Sequence, residues 1–380
     1  MPLTVSGANI IIVIICIFWL LSGDYKAKYN QIMSSKLMIA SILFYFLHVV
    51  GMLWTEDLKW GLHILHKMWY FLLLFPILFN IVKREYIKYY VISFLLAIAL
   101  TEIASYLVWF ELVGPFKNAT VLNPTPFMSH ISYNPILIFA IYLVLHEIFL
   151  NKKLTNLSFS FYSFFAISMT INMFITGGRA GQVGFFVMLS ILIFQIFDKE
   201  RVKSLIAILI VMPAIFFTAY HSSDLFKERV DKAVVETLTF SENSQNKNSL
   251  GVRLHFAMNS LEVINQNLIL GVGTGDFPSE YSKINEINTP DLPKTTNPHN
   301  MYTLIAMQLG LIGLVSMLSI FYYQIKLSFA SSNRFINDLG ITLPLVYLVI
   351  MLSDSYLLGH FTTLVFVFFS SFLYKDFEKP

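Results

Sequence analysis

At Thr295-Thr296-Asn297-Pro298-His299-Asn300-Met301-Tyr302, a long polar segment, 222–298, meets a strongly apolar one. The side-chain oxygen of Asn297 can accept a hydrogen bond from a free N–H one turn into a helix. Pro298 suits the first helical position, where its missing N–H costs nothing. The pattern therefore predicts a helix that starts here and carries His299 in its first turn.

His299 is the residue of chemical interest in this stretch. A helix N-terminus carries a partial positive charge, which disfavours the imidazolium and keeps the ring neutral. A neutral imidazole at a membrane boundary can act as a general base. A histidine that only caps the helix explains the stretch equally well, so the stretch alone leaves both interpretations open.

The composition is typical of a polytopic membrane protein. Of the 380 residues, 56% are hydrophobic and only 13% are charged, whereas a soluble domain carries about 25% charged residues. The one cysteine, Cys16, excludes a disulfide framework. No basic stripe with interleaved aromatic residues is present, so nucleic acid is not an expected partner.

Apolar runs of roughly 20 residues are long enough to cross a bilayer. We expect an all-α fold, namely a polytopic membrane helical bundle of about 11–12 transmembrane helices with one large, partly helical periplasmic loop. The chain then divides into N-terminal transmembrane helices (1–221), the periplasmic loop (222–298) and C-terminal transmembrane helices (299–380). The eleven predicted spans are 8–22, 37–54, 62–82, 89–110, 131–150, 159–176, 181–197, 204–220, 300–323, 336–352 and 357–374.

Lysine and arginine are concentrated in the short loops of one side, which the positive-inside rule makes cytoplasmic. The large loop and the turn 176–179 then lie on the outer side. Within the loop, apolar residues at helical spacing predict helices over 223–238 and 251–267, which cover the membrane helices. Residues 271–275 are predicted to form a tight turn and 281–297 a loop.

The turn Thr176-Gly177-Gly178-Arg179-Ala180-Gly181 joins two predicted spans at the outer surface. Gly177 and Gly178 permit a sharp turn with exposed N–H groups, and Arg179 opens the next helix. A helix N-terminus, open N–H groups and a guanidinium together make an anion site. An arginine that snorkels to lipid headgroups is an equally good explanation.

Arg253 and Asp276 belong to the outer segment. Arg253 stands near a helix N-terminus, where the helix dipole disfavours a structural arginine, although an exposed charge on a soluble face remains the alternative. The turn Gly271-Val272-Gly273-Thr274-Gly275 resembles a phosphate loop but lacks the following Lys-Ser/Thr. We therefore expect it to position Asp276 and Phe277.

Two more polar residues lie close to the outer face. Asp354 stands between two spans, where an ionisable group is usually paired, and we expect it to pair with Arg179 or Arg253. His130, at another helix entrance, could touch a polar substrate, or be a satisfied interfacial histidine. The outer side shows no Asp-x-Asp or His/Asp cluster, so neither a metal nor a cofactor is predicted. Two arginines and one histidine suit transfer of a group from a lipid pyrophosphate to an alcohol.

In these features the sequence resembles the O-antigen ligase family, within the wider group that includes O-antigen polymerases and bacterial O-oligosaccharyltransferases. The resemblance extends over roughly residues 131–318. Four features carry it: the turn 176–181, the large outer loop before the last spans, Arg253 with the turn 271–277, and Pro298-His299-Asn300 followed by 309–314.

The resemblance implies transfer of a glycan from undecaprenyl pyrophosphate to a hydroxyl of the lipid A core. The enzyme would be a metal-independent, multi-pass protein of the bacterial inner membrane with its active site facing the periplasm. His299 would activate the acceptor hydroxyl, while Arg179 and Arg253 would hold the donor pyrophosphate. The remaining predicted substrate-binding residues are Gly178, Asn300, Asp276, His130 and Asp354.

The expected partners are the lipid-linked glycan donor, the lipid A core acceptor and membrane lipids, with the protein acting as a monomer. A polymerase would use the same donor chemistry, so the sequence separates it poorly from a ligase. The short chain, without an additional C-terminal extension, favours a ligase over a protein O-oligosaccharyltransferase. A polysaccharide flippase or transporter ranks lower, because its charges are expected near mid-membrane.

Overall fold

A computed structural model describes residues 3–117, 119–239 and 248–375 of the chain, and the regular structure in these ranges is helical apart from one isolated β-bridge. The helices are α1 Val5–Leu21, α2 Tyr25–Met33, α3 Lys36–Gly51, α4 Leu58–Trp69, α5 Phe75–Ile81, α6 Ile87–Trp109, α7 His130–Leu150, α8 Asn156–Ile175, α9 Arg179–Phe197, α10 Arg201–Ser222, α11 Asp224–Leu238, α12 Ser249–Gln266, α13 Phe277–Asn288, α14 Met301–Phe329, α15 Arg334–Ile350 and α16 His360–Leu373.

The structure confirms an all-α polytopic membrane fold. Within the described ranges, eight helical segments are long and apolar enough to cross a membrane, or nine if α1 and α2 form one bent span. The sequence predicted eleven spans. The difference lies in α1, α15 and α16, which have 17, 17 and 14 residues and are shorter than the eight segments of 19–29 residues.

The chain forms two compact units. The first unit combines Met1–Asn9 with Glu85–Lys232, and the second combines Ile10–Arg84 with Ala233–Pro380. In the first unit α7 is the most buried candidate span, and it packs against α8 and α9. In the second unit α3 and α15 pack along α14, and α12 and α13 pack against it as well.

The polar segment before α14 is more helical than its sequence suggested. The predicted helices over 223–238 and 251–267 correspond to α11 and α12. The prediction of a loop from residue 281 onward is wrong as far as Asn288, because α13 begins at Phe277 with a proline in its first turn. Phe277 and Tyr281 are fully buried and fix α13 in the hydrophobic core of the second unit.

The long helix α14 is interrupted at Gly310, whose φ of 61° and ψ of −156° are not helical. Glycine adopts a positive φ without a steric cost, whereas other residues do not. A Cβ at this position would also lie 2.3 Å from backbone atoms of Ile269. The break therefore requires glycine for its conformation and for the space around it.

The segment 268–273 fills the break in α14. The N–H groups of Val272 and Gly273 donate to α14 carbonyls over 2.9 and 3.0 Å, and the N–H of Leu311 donates to the carbonyl of Leu268 over 2.9 Å. Backbone polar groups in a membrane need partners within the protein. The predicted tight turn is thus part of an inserted segment that supplies hydrogen-bond partners to the backbone of the interrupted helix.

The start of α14 differs from the prediction. Asn300 is the N-cap, with its side chain accepting from the N–H of Thr303, and the helix begins at Met301. Asn297 and Pro298 lie before the helix, so the capping role predicted for Asn297 is wrong. His299 also precedes the helix, with a positive φ of 52°.

Candidate active site

The backbone at His299 is held in an unusual conformation by its neighbours. A positive φ is uncommon for a residue with a Cβ and persists only where the surroundings determine it. The N–H of His299 donates to Oδ1 of Asn297 over 3.0 Å, which closes a local turn. The next residue, Asn300, is fixed as the N-cap of α14 and also donates from its side chain to the carbonyl of Leu352.

The Asn297 side chain connects this turn to the loop between α15 and α16. Its Nδ2 donates to Oδ1 of Asp354 over 2.9 Å, and its Oδ1 accepts from the Ser355 hydroxyl over 2.8 Å. The Ser355 N–H donates to the same Asp354 oxygen over 2.7 Å. Because these groups bond to one another, two segments far apart in sequence place His299 and Asp354 side by side.

His299 and Asp354 form an acid–base pair. Nδ1 of the ring lies 3.4 Å from Oδ1 of the carboxylate. The atom Nδ1 is buried and makes no hydrogen bond of regular geometry with any described residue. The two side chains are therefore adjacent, but the hydrogen bond between them is not formed. Catalytic hydrogen bonds are often long before substrate binds. Since Nδ1 faces Asp354, Nε2 is the ring nitrogen that a hydroxyl can reach.

The surroundings of Asp354 favour its ionised form. Burial acts to raise the pKa of this carboxyl, but His299, the Ser355 N–H and the Asn297 amide outweigh burial and hold the pKa below its ordinary value. A carboxylate beside Nδ1 stabilises an imidazolium formed when Nε2 accepts a proton. The predicted partner of Asp354 was an arginine, whereas the ionisable side chain that lies 3.4 Å from its carboxylate within the second unit is His299.

Arg253 lies on α12, one turn before Phe256. The Phe256 ring stacks parallel to that of His299, with centroids 6.3 Å apart and planes 15° apart. Arg253 is half-buried, and its charge acts on Tyr356, two residues after Asp354. The structure therefore brings Arg253 into the neighbourhood of the histidine within the second unit.

Asp276 has a structural position. It is 2% exposed, and its two carboxylate oxygens accept backbone N–H bonds from Glu56 and Asp57 at distances between 2.8 and 3.1 Å. These donors stand immediately before α4. A role of Asp276 in substrate binding stays a prediction, and its carboxylate is already occupied by this chain's own amides.

The first unit contains the predicted glycine turn. Asn134 of α7 lies under it, accepting from the Thr176 hydroxyl over 2.7 Å and donating to the Gly178 carbonyl over 3.3 Å. A Cβ on Gly178 would lie 2.6 Å from the Asn134 amide and 2.9 Å from the His130 carbonyl. Gly178 has a negative φ of −86°, so it is required for space and not, as expected, for a special conformation.

Arg179 and His130 both stand at this turn. Arg179 is the first residue of α9, whose N-cap, Gly178, supplies no side chain to the free N–H groups. His130 is the first residue of α7, and its Nδ1 is 2.9 Å from the amide nitrogen of Asn123. Arg179, Gly178 and His130 thus meet in the first unit, while Arg253, Asp276, His299, Asn300 and Asp354 belong to the second.

Arg229 is a cation that sequence reasoning missed. It lies on α11, and a Cβ on Gly177 would be 2.7 Å from its terminal nitrogen, so the guanidinium covers the glycine turn. The positive charge of Arg179 acts on Arg229, and the charge of Arg229 acts on His130. In sequence it is one of several charged residues on an amphipathic helix, and only its spacing of three from buried Phe226 distinguishes it.

In residues 3–117, 119–239 and 248–375, no three His, Cys, Asp or Glu side chains come together as a metal site requires. Independence from metal ions remains a prediction.

The helices define a multi-pass α-helical membrane protein, with a histidine–aspartate pair at the start of one long helix. Residues 164–318 match the family model described as O-antigen ligase, which confirms the family resemblance over that segment. The match includes Arg179, Arg229, Arg253 and His299, and it ends before Asp354.

One curated relative also matches the chain. A Haemophilus influenzae protein described as uncharacterized is 28% identical over 218 residues, which are 54% of this chain and 53% of that protein. The chain therefore spans about half the length of the curated relative it matches.

Proposed function

We propose that the protein is an O-antigen ligase that transfers a glycan from undecaprenyl pyrophosphate to a hydroxyl of the lipid A core, in the periplasm and without a metal ion. The observation that carries the proposal is the His299–Asp354 pair, fixed by Asn297 at the start of α14. The O-antigen ligase match over residues 164–318 supports the same chemistry.

In the proposed reaction, Nε2 of His299 takes the proton of the acceptor hydroxyl. The acceptor oxygen forms a bond to the anomeric carbon of the glycan, and the bond from that carbon to the phosphate oxygen breaks. Undecaprenyl pyrophosphate leaves with the electron pair. Asp354 keeps the ring oriented and stabilises the imidazolium, which is the usual function of a carboxylate behind a catalytic histidine.

Arginines are proposed to stabilise the negative charge of the leaving pyrophosphate. A guanidinium stays protonated and presents paired donors that match phosphate oxygens. Arg253, one turn before the ring that stacks on His299, is assigned this role in the second unit. Arg179, at the open N-terminus of α9, is assigned phosphate binding in the first unit.

A polymerase is the second candidate, because the family match is compatible with both reactions. Both would need the same donor and a general base. They differ in the acceptor, which is a sugar of the lipid A core for a ligase and a lipid-linked glycan for a polymerase. The choice of acceptor therefore has to be made by experiment.

A transporter would make different use of the break in α14. Transporters bind ions and substrates at the free backbone groups of interrupted helices. Here those groups bond to the segment 268–273 of the same chain. Because the backbone around Gly310 is occupied in this way, the break supports a structural function better than ion binding.

The test is complementation of a strain that lacks the gene with wild-type protein and with His299→Ala. Removal of a general base typically costs about 10²–10⁴-fold in rate. We therefore expect His299→Ala to leave bare lipid A core on a lipopolysaccharide gel, with polymer accumulating on the lipid carrier. A core bearing one repeat unit would indicate a polymerase.

The matched control is His66→Ala, since His66 is an exposed histidine of α4. It should give wild-type lipopolysaccharide. Membrane levels of both variants are compared by immunoblot, so that loss of protein is not taken for loss of chemistry. Wild-type polymer on lipid A with His299→Ala would refute the general base.

A further inference from the structure

Arg229 is positioned to bind an anionic ligand. Its guanidinium lies against Gly177, and its Nε is buried without a hydrogen bond. No ion pair of Arg229 occurs among the described residues. The neighbouring Glu228 instead pairs with Lys232 on the exposed side of α11. The guanidinium is half-buried, and its unpaired Nε favours an anionic hydrogen-bond acceptor brought by a ligand.

The position of Arg229 is fixed by packing. Phe226, one turn earlier on α11, is 4% exposed, and its ring meets the edge of Phe174 with centroids 5.0 Å apart. Ser223 caps the start of α11 and donates to the Phe174 carbonyl over 3.1 Å. The helix that carries Arg229 is therefore attached to the end of α8, directly before the glycine turn.

Two cations meet at this turn. Burial lowers the pKa of Arg229, and the positive charge of Arg179 lowers it further, while Glu228 acts in the opposite sense. Two neighbouring guanidinium groups repel each other, and an anion between them would remove the repulsion. Helix α9 begins at Arg179 without a side-chain cap, and a helix N-terminus also favours an anion.

An apolar groove begins beside this cationic corner. Its volume is about 420 Å³, and its walls come from α8 and α10 with Trp109 of α6. Ile175 lies in its wall, two residues before Gly177, and Ser222 and Ser223 lie where α10 meets α11. A ligand with an anionic head and an apolar chain would match the corner and the groove together.

We infer that Arg229, together with Arg179, binds the phosphate group of a prenyl phosphate or diphosphate whose apolar chain occupies the groove between α8 and α10. The inference rests on the proposed function in taking a lipid-linked diphosphate as the donor. It adds a phosphate-binding residue and a place for the lipid chain, both within the first unit.

Binding is measured directly on the purified full chain in detergent, with farnesyl diphosphate as the probe and inorganic pyrophosphate as the head group alone. Arg229→Gln should weaken farnesyl diphosphate at least tenfold, and Arg229→Lys should weaken it less because the charge is kept. Lys232→Gln is the control on the same helix, and it should bind like wild type since Lys232 is exposed.

Two further variants keep the inference testable if Arg229→Gln fails to fold. Gly177→Ala places a methyl group against the guanidinium and should weaken both probes. Ala219→Phe fills the groove and should weaken farnesyl diphosphate while leaving pyrophosphate unchanged. Equal affinity of wild type for the two probes would refute the lipid groove and indicate a site for free phosphate.

The proposed function is tested separately in the same assay. His299→Ala should bind farnesyl diphosphate like wild type, whether or not it transfers glycan. If Arg229→Gln and Gly177→Ala both bind farnesyl diphosphate with wild-type affinity, the inference is wrong even where transfer depends on His299.

Discussion

The turn at His299 and the turn at Gly178 are each held by an asparagine side chain but leave different groups for chemistry. Asn297 lies within its turn and donates to Asp354 of another loop, whereas Asn134 lies on α7 and accepts from Thr176 of the glycine turn. In the second unit the result is a histidine beside a carboxylate. In the first unit the result is two arginines beside each other, at an uncapped helix N-terminus.

We propose that the two turns have different functions. A histidine paired with a carboxylate can gain and lose a proton, because the carboxylate stabilises the charged ring. Neighbouring guanidinium groups cannot exchange protons at ordinary pH, and they are suited to bind an anion. We therefore expect damage to the two turns to have different kinetic consequences.

Among the variants that compare the two turns, the largest effect is expected from Asp354→Asn. The asparagine can still accept from the Asn297 amide and the Ser355 N–H, so the turn should remain folded. It cannot stabilise an imidazolium, and kcat should fall about 10²-fold, a conservative figure for loss of the carboxylate behind a catalytic histidine. The measurement is transfer to lipid A by purified protein, with KM for the donor near its wild-type value.

Asp291→Asn serves as the control, because Asp291 is an exposed carboxylate in the segment leading to His299. It should leave kcat unchanged. A rise in donor KM with unchanged kcat in Asp354→Asn would mean that Asp354 binds substrate and does not support the histidine.

A smaller effect is expected from Arg179→Lys, and it should appear in the KM for the donor and not in kcat. Lysine keeps the charge but loses the planar pair of donors that fits phosphate oxygens. The KM for the donor should rise about tenfold, equivalent to about 1.4 kcal/mol. Arg201→Lys is the matched control, since Arg201 also opens a long apolar helix and is exposed. If both variants raise KM equally, the turn at Gly178 has no special function in donor binding.

Much of the fold could be predicted because apolar runs determine membrane helices. The start of α14 could not, because two asparagines three residues apart both suit a cap. Asn297 bonds to Asp354 and Ser355, more than 50 residues away, and only the folded chain shows that Asn300 is left as the cap. The break at Gly310 could not be predicted for a similar reason, because the segment 268–273, about 40 residues earlier in the chain, supplies the hydrogen bonds around it.

The candidate site was predictable where a residue type stands out in apolar surroundings. His299 and Arg179 are polar residues at the ends of long hydrophobic runs. Arg229 lies in a helix rich in lysine and glutamate, so its sequence position does not distinguish it from solvated charges. Its contact with Gly177 is formed between segments about 50 residues apart and requires the packing of Phe226.

The smallest expected effect concerns the pH dependence of stability. The pKa of Asp354 is lowered in the folded protein, because the contacts of the carboxylate outweigh its burial. A lowered folded-state pKa contributes stability that is present above the unfolded pKa and is lost as pH falls through the folded value. Asp354→Asn lacks this contribution at every pH.

Wild-type protein should therefore unfold at a higher temperature than Asp354→Asn at pH 6, where the carboxylate is ionised. The difference should narrow as pH is lowered through the acidic range in which aspartate titrates, around pH 4 and below. His299 faces the carboxylate, so the same comparison is made in a His299→Gln background. If the difference in unfolding temperature stays constant from pH 6 to pH 3, the charge of the carboxylate does not stabilise the turn. The arrangement around Asn297 would then depend on the shape and hydrogen bonds of the side chain and not on its charge.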